Sequence, residues 1–266
     1  MTAAADPGPV LRRAHGPVAE VVLNRPSALN ALSTALMLEL TATCAALAGE
    51  AGVRAVVLSA EGTRAFCAGA DLKERNAFGA EQLAAQRPVF RAGFAALREL
   101  PVPVVAAVQG YALGGGLELA LSCDLVVVED SAVLGLPEVS VGLVPGGGGT
   151  QLLSRRAGLA VARDLVLTGR HVPGPEAVRL GVADRLVPTG AARGEALALA
   201  ATCAAGSPTA VRAAKRAVLD GYEVPLAAGL DLEDAAWRTA AFSPDRVEGI
   251  AAFNERRPPV WADPAR

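Results

Sequence analysis

The segment PVVAAVQGYALGGGLELALSCDL, residues 103–125, places a strand pattern, a glycine cluster and a helix pattern in direct succession. The run Val104–Val108 is apolar and rich in β-branched residues, which predicts a buried strand. A helix is predicted over 115–123. Glycines ahead of a helix let the backbone approach a ligand closely, and the first N–H groups of the helix point outward. Such groups can hold a phosphate, or an oxygen that gains negative charge during a reaction.

Alternatives to a ligand site remain open for this glycine segment. A tight turn without a ligand is the simplest of them. A dinucleotide-binding loop would need an acidic residue after the next strand, and Asp130 has that position, but this interpretation leaves Glu118 and Glu138 unexplained. The sequence contains no GxxxxGK[ST] motif, which excludes a Walker-type phosphate loop.

Two glutamates stand in the most apolar part of the chain. Glu118 follows the glycines of the first segment, and Glu138 lies in LGLPEVSVGLVPGGGGTQLL, residues 134–153. A buried carboxyl group with a raised pKa suits proton transfer near neutral pH, so the pair is a candidate for acid–base chemistry. Each also has a structural interpretation. Glu118 can interact with a helix dipole for under about 1 kcal/mol, and Glu138 can be a partly exposed carboxylate at a strand end.

A second loop of small residues, FCAGADLK, follows the strand predicted over 55–59. Asp71 is predicted to cap a helix that begins at Leu72. A plain strand-to-helix connection would explain this segment alone. Together with the first glycine loop, it would offer two backbone N–H donors from separate segments, which is what a thioester oxyanion requires.

The rest of the chain alternates strand and helix patterns, which predicts an α/β fold with largely buried sheets. Beyond residue 191 the pattern is almost entirely helical. It is interrupted before Pro208 and Pro244, where Ser207 and Ser243 are predicted as caps. Further strands are predicted over Val18–Leu23, 125–129 and 185–187. Further helices are predicted through Ala48, with Ser33 as the N-cap, and over 81–100 and 160–167.

Composition excludes several functional classes. The net charge is −2 and the basic residues are dispersed, which argues against nucleic-acid binding. The four scattered cysteines lack CxxC spacing, and there are only two histidines. We therefore expect no metal site, and free thiols in a reducing compartment. No signal peptide and no membrane span are evident, so a soluble cytoplasmic protein is expected. GxSxG is absent, and His15 and His171 are predicted at the surface.

These segments resemble the crotonase superfamily, and specifically the enoyl-CoA hydratases. The resemblance covers nearly the whole chain, from Val18 to Trp261. Its most specific motifs are AFCAGADLKE and the two glutamate-containing segments, in this order. The other motifs are LNRPSALNALS near the start and DRVEGIAAFNERR near the end.

The resemblance implies a crotonase-type spiral of repeated ββα units over residues 1–200. It implies a helical oligomerisation region over 201–266 that builds homotrimers, or hexamers as dimers of trimers. It implies an acyl-CoA thioester as substrate and no cofactor, because coenzyme A is part of the substrate.

The resemblance also implies roles for individual residues. Glu118 and Glu138 match the catalytic glutamates, and the N–H groups of Ala70 and Gly115 match the oxyanion hole. The positions matched to contacts with the substrate or its CoA part are Ser27, Ala28, Ala68, Asp71, Leu72, Gly114, Pro137, Gly146, Phe253 and Arg256.

Four positions depart from the family pattern. Ser27 stands where many members carry a lysine or arginine, Leu136 replaces a glutamine of well-known hydratases, and Leu152 replaces an arginine. Arg256 stands near a lysine that reaches a neighbouring subunit's CoA. The alternatives are isomerisation, decarboxylation, dehalogenation or C–C cleavage of an acyl-CoA, or a relative that binds acyl-CoA or RNA without turnover. Acyl preference is expected to depend on the loop between Glu74 and Pro88 and on the C-terminal helices.

Overall fold

The computed structural model of the chain describes residues 8–262, so the expectations that concern residues 1–7 and 263–266 lie outside it. The described part contains two sheets, whose strands are numbered together in chain order. The larger sheet has the order β1-β2-β3-β5-β7-β10. Its strands are β1 (Val10–His15), β2 (Val18–Leu23), β3 (Ala55–Ala60), β5 (Val104–Val108), β7 (Leu125–Glu129) and β10 (Arg185–Val187).

Most strands of the larger sheet are parallel and buried. Only β1 pairs antiparallel, with β2, and the other neighbours are parallel. Continuous runs of Val, Leu and Ala are the pattern of strands covered on both faces. The five predicted strands are confirmed, and β10, of sequence RLV, differs from the others in being mostly exposed. β1 was not predicted, because its sequence VLRRAH carries two arginines on an edge strand.

The smaller sheet has the order β4-β6-β8-β9 and was not predicted. The first three strands are parallel, and β9 pairs antiparallel with β8. Each strand has only three residues, which is too short for a periodic signal. The strands are β4 (Ala65–Cys67), β6 (Tyr111–Leu113), β8 (Val133–Gly135) and β9 (His171–Pro173).

Ten helices follow or connect these strands within residues 8–262. They are α1 (Thr34–Ala48), α2 (Leu72–Asn76), α3 (Ala80–Arg98), α4 (Gly115–Leu121), α5 (Gly149–Thr168), α6 (Gly174–Arg179), α7 (Ala192–Ala204), α8 (Pro208–Tyr222), α9 (Leu226–Ala241) and α10 (Pro244–Glu255). The pairs β3–β4, β5–β6 and β7–β8 each put a long strand directly before a short one. A helix follows the first two pairs at once. No helix in the described range is long and apolar enough to cross a membrane.

The two faces of the larger sheet are covered by different elements. On one face Val57, Val105 and Val127 pack against α7. On the other, Val56, Leu58 and the alternate residues of β5 and β7 pack into the main core with α1, α3 and α4. Successive side chains of a strand point to opposite faces of the sheet, so each of these strands contributes residues to both cores. The α/β fold class is confirmed.

Several helix boundaries differ from those predicted. The helix predicted over 160–167 is the second part of α5, which begins at Gly149 and is kinked at Gly158. The C-terminal region has a further break, before Pro225, that separates α8 from α9. Ser207 caps α8 through the Ala210 N–H as predicted. Ser243 occupies the cap position of α10, but its hydroxyl donates to Ala240 O instead.

The division predicted at residue 200 falls inside α7, whose Ala196 and Ala200 are buried against the sheet. The two-part organisation therefore stays a prediction. The helices after α7 carry several large apolar side chains at the surface. Trp237 is 61% exposed and Phe242 is 79% exposed.

Candidate active site

Three neighbouring strands of the smaller sheet lead into the segments that carry the predicted site. β4 is followed by residues 68–71, β6 by Gly114 and Gly115, and β8 by Leu136, Pro137 and Glu138. Since these strands are parallel, their carboxyl ends meet at one edge of the sheet, where ligands commonly bind in α/β proteins. A cavity of about 410 Å³ opens there. The predicted residues in its wall are Ala68, Ala70, Leu72, Gly114, Gly115, Glu118, Pro137, Glu138 and Gly146.

The N–H groups of Ala70 and Gly115 lie side by side in the cavity wall. A Cβ built on Gly115 would be 3.7 Å from the Ala70 nitrogen. The loop around Ala70 is held by Leu32, whose N–H donates to Gly69 O at 2.8 Å and whose carbonyl accepts from Asp71 N–H at 2.9 Å. Among the described residues, neither the Ala70 nor the Gly115 N–H has a hydrogen-bond acceptor. Two adjacent donors are therefore available to an oxygen in the cavity.

Gly114 makes the turn from β6 into α4. Its φ of 52° lies in a region that glycine adopts at low cost, and a Cβ there would come 3.0 Å from Glu138 Oε1. The absence of a side chain thus lets the Glu138 carboxylate approach the beginning of α4. This close approach is a structural reason for glycine at position 114, which belongs to the cluster that suggested a ligand loop.

Glu118 lies in the first turn of α4 and is only 3% exposed. Its Oε1 accepts hydrogen bonds from Gly147 N–H at 2.6 Å and from Gly149 N–H at 2.7 Å. Burial raises the pKa of Glu118 above its ordinary value, while the N–H groups of Gly149, Gly147 and Gly146 oppose the rise. These donors hold one oxygen in place and favour the ionised carboxylate.

Glu138 follows Pro137 in a 3-10 turn, Pro137–Val141, where an alternating pattern had suggested a strand end. Its Oε2 is buried and has no hydrogen-bond partner among the described residues. Burial raises the pKa of Glu138 to about 7, the negative charge of Glu118 adds to the rise, and the backbone N–H of Glu138 itself opposes it. Unlike Glu118, this carboxyl group receives no donor from the glycine loop, so its protonated form persists to neutral pH.

Asp71 joins two loops beside the cavity instead of lining it. Its side chain caps α2 by accepting from Lys73 N–H at 3.1 Å and Glu74 N–H at 3.2 Å, as predicted. Its other oxygen accepts from Arg25 Nη2 at 2.9 Å. Although burial acts to raise the pKa of Asp71, Arg25 and the two N–H groups hold it below its ordinary value. The Arg25 loop is thereby fixed against the loop that carries Ala70.

Besides Asp71, four predicted contact residues do not line the cavity in one chain. Ser27 and Ala28 lie on a 3-10 turn, Pro26–Ala28, next to the Arg25 side of the Asp71 pair. Phe253 and Arg256 lie at the end of α10, where Phe253 is 82% exposed. Their roles in substrate binding stay predictions.

Other cavity residues were not predicted. Gln86, Phe90 and Phe94 line it from α3, and their four-residue spacing on one helix face was the signal that could have identified them. Arg75 of α2 and Arg87 of α3 also line it. Nothing in the spacing of these arginines distinguishes them from surface residues.

Comparisons with known proteins agree on one family. A family model described as "Enoyl-CoA hydratase/isomerase" matches residues 13–264. The human enoyl-CoA hydratase domain-containing protein 2, mitochondrial, is 42% identical over 248 residues, which cover 92% of this chain and 85% of that protein. The methylglutaconyl-CoA hydratase, mitochondrial, of Rattus norvegicus is 40% identical over 243 residues, covering 90% of this chain and 77% of that protein.

The structure of an enoyl-CoA hydratase from Bacillus anthracis matches with a TM-score of 0.94 and 39% identity, over 96% of this chain and all of that one (100%). This likeness and the family match confirm the crotonase-type fold that the resemblance implied. The chain belongs to the enoyl-CoA hydratase/isomerase family of the crotonase superfamily.

Proposed function

We propose that this protein is an enoyl-CoA hydratase, which adds water across the 2,3 double bond of a 2-enoyl-CoA to give a 3-hydroxyacyl-CoA. The crotonase family acts on acyl-CoA substrates, so the thioester is the starting point. One observation supports the finer assignment: Glu118 and Glu138 line the same cavity as the unpaired N–H groups of Ala70 and Gly115. Hydration needs a base, an acid and an oxyanion site together.

The two carboxyl groups differ in the way that this reaction requires. The backbone donors on Glu118 favour its ionised form, which can take a proton from water as the water attacks the β-carbon. Glu138 has a pKa of about 7 and can deliver a proton to the α-carbon. The N–H groups of Ala70 and Gly115 stabilise the enolate-like oxygen, and loss of one such donor typically costs about 3 kcal/mol. The thioester is the electron sink, so the proposed reaction uses no metal or redox cofactor.

The predicted assembly belongs to the same proposal. Crotonase-family proteins are typically oligomeric, and the exposed apolar residues of α8–α10 support a homotrimer or a dimer of trimers. Phe253 and Arg256 would then contact CoA only in the assembled protein. The cytoplasmic location stays a prediction.

Hydration of crotonyl-CoA by the purified protein tests the function, followed as loss of the ultraviolet absorbance of the conjugated thioester. The product should be 3-hydroxybutyryl-CoA by mass spectrometry, heavier than the substrate by the mass of one water. A 3-enoyl-CoA that becomes a 2-enoyl-CoA without further water addition would instead support isomerisation. A thioester that is bound but never converted would support a binding protein.

A further inference from the structure

We propose that Arg75 is a specificity residue that binds a carboxylate carried by the acyl group of the substrate. This inference deepens the proposed function, because it names the class of acyl chain that the site accepts. Arg75 lies in α2, and its side chain lines the same cavity as Glu118 and Glu138. Leu83, Phe90 and Phe94 of α3 are apolar parts of the wall, and Arg75 is an arginine of this wall whose terminal N–H groups have no partner among the described residues.

The guanidinium of Arg75 is held in place by neighbours but keeps donors available. Its Nε donates to Gln86 Oε1 at 3.0 Å, and its carbon lies 4.8 Å from the centre of the Phe90 ring. Within residues 8–262, its Nη1 and Nη2 have no hydrogen-bond partner, and it is in no ion pair. An arginine fixed through Nε and one ring face presents its terminal N–H fork in the geometry that a carboxylate binds.

The position of Arg75 favours the acyl group over the CoA part of the substrate. Its two contacts, Gln86 and Phe90, are each only 4% exposed. Burial lowers the pKa of Arg75, and the charges of Glu74 and Glu118 oppose that effect. The guanidinium is therefore partly desolvated and close enough to the catalytic carboxylate to interact with it electrostatically. By contrast, Leu72 is 55% exposed; it is the first residue of α2 and one of the positions expected to contact CoA.

Nearby acidic groups do not already occupy this donor fork. The Glu74 carboxylate accepts from Thr34 N–H and Gln86 Nε2, and Glu118 Oε1 accepts from the glycine loop. Arg87, the second cavity arginine, donates to Gly146 O at 2.5 Å. Arg87 thus holds the loop that orients Glu118, whereas Arg75 retains free donors. A carboxylate in the acyl chain would satisfy them and neutralise the partly buried charge.

Binding of unreactive thioesters tests the proposal without relying on turnover. Glutaryl-CoA and pentanoyl-CoA have the same chain length and differ in the terminal carboxylate. By titration calorimetry we expect the protein to bind glutaryl-CoA about tenfold more tightly or better, because a charge-assisted hydrogen bond contributes on that scale. Arg75→Met should abolish the difference while leaving pentanoyl-CoA affinity largely unchanged, and Arg75→Lys should retain part of it.

Two controls separate the alternatives. Arg91→Met removes an exposed arginine of α3 that does not line the cavity, so it should preserve the glutaryl preference. CoA without an acyl group shows whether Arg75 binds CoA phosphates. If Arg75→Met weakened CoA, pentanoyl-CoA and glutaryl-CoA equally, the proposal would be wrong. It would also be wrong if the unsubstituted protein bound both acyl-CoA esters equally.

Turnover distinguishes this inference from the proposed function. With glutaconyl-CoA and trans-2-pentenoyl-CoA as substrates, a hydratase with the predicted specificity has the higher kcat/KM for glutaconyl-CoA. Hydration of both at equal rates would support the function and overturn the role of Arg75. A tenfold glutaryl preference that depends on Arg75, without hydration of either enoyl-CoA, would support the carboxylate site and overturn the function.

Discussion

Gly116 of α4 lies against the carbonyl oxygen of Cys67, at the end of β4, so closely that a Cβ on Gly116 would come within 2.0 Å of that oxygen. This contact sets the distance between the loop that carries Ala70 and the helix that begins at Gly115. A side chain at residue 116 must push the two apart, because its neighbour is backbone. The spacing of the proposed oxyanion donors therefore depends on a glycine that contributes no donor to it.

Gly116→Ala should accordingly lower both stability and activity. We expect a loss of about 1–3 kcal/mol in the free energy of unfolding from overpacking. We also expect kcat to fall by about 10²-fold if one oxyanion donor is displaced. Gly194→Ala in α7 is the matched control, because a Cβ at residue 194 would meet nothing within 4 Å. This variant should stabilise the protein slightly, because alanine has a higher helix propensity than glycine. Equal thermal unfolding curves and equal kcat for the two variants would contradict this account.

Glu118→Gln and Glu138→Gln should each lower kcat for crotonyl-CoA hydration by about 10²–10⁴-fold, the usual contribution of a positioned acid or base. Affinity for butyryl-CoA should be largely unchanged, since the amide oxygen introduced at position 118 can still accept from the N–H groups of Gly147 and Gly149. Glu81→Gln, at an exposed position in the first turn of α3, serves as the control. Full activity in both cavity variants would rule out the proposed mechanism.

The pH dependence of kcat/KM should reflect the two different carboxyl groups. Glu138 must be protonated to act as the acid, so activity should fall as the pH rises through about 7. Glu118 must be ionised, and its raised pKa places the acidic limb above the ordinary glutamate range. A bell-shaped profile in steady-state kinetics is the expected result. A flat profile from about pH 6 to 9 would be inconsistent with an acid whose pKa is about 7.

Glu138 should also affect stability in a defined direction. Its pKa rises from 4.5 to about 7 on folding, so the folded protein binds more protons between these values. The free energy of unfolding therefore decreases as pH rises through this window. After allowance for screening at this partly exposed site, the decrease is about 1–2 kcal/mol. Glu138→Gln should remove it, so Tm measured at about pH 8, above the folded-state pKa, should exceed that of the unsubstituted protein.

The C-terminal helices should form a subunit interface. Trp237 and Phe242 pack edge to face with ring centroids 6.4 Å apart, yet both are largely exposed in one chain. Trp237→Asp or Phe242→Asp should shift the protein from trimers or hexamers to monomers in sedimentation velocity. Leu38→Asp, on α1 with a 54% exposed leucine, should leave the assembly intact. A monomeric unsubstituted protein would overturn the predicted assembly.

Long apolar strands were predictable because a strand buried on both faces has an unbroken Val- and Leu-rich sequence. The second sheet was not, because β4, β6, β8 and β9 each have only three residues. Glu118 and Glu138 were suspected because a carboxyl group is rare in so apolar a setting. Their difference in pKa could not be foreseen, since it depends on the N–H groups of Gly147 and Gly149, which approach Glu118 only in the fold. Arg75 was missed for a similar reason: its partners Gln86 and Phe90 lie on another helix.

In the proposed mechanism, main-chain atoms after β4 and β6 stabilise the enolate, while two side chains move the protons. The two tasks therefore belong to atoms of different kinds. Substitution at 118 or 138 can change or remove proton transfer and leave the N–H groups of 70 and 115 in place. The reaction should accordingly be open to redesign by substitution at residues 118 and 138. The N–H groups of 70 and 115 would still activate the thioester in each such variant.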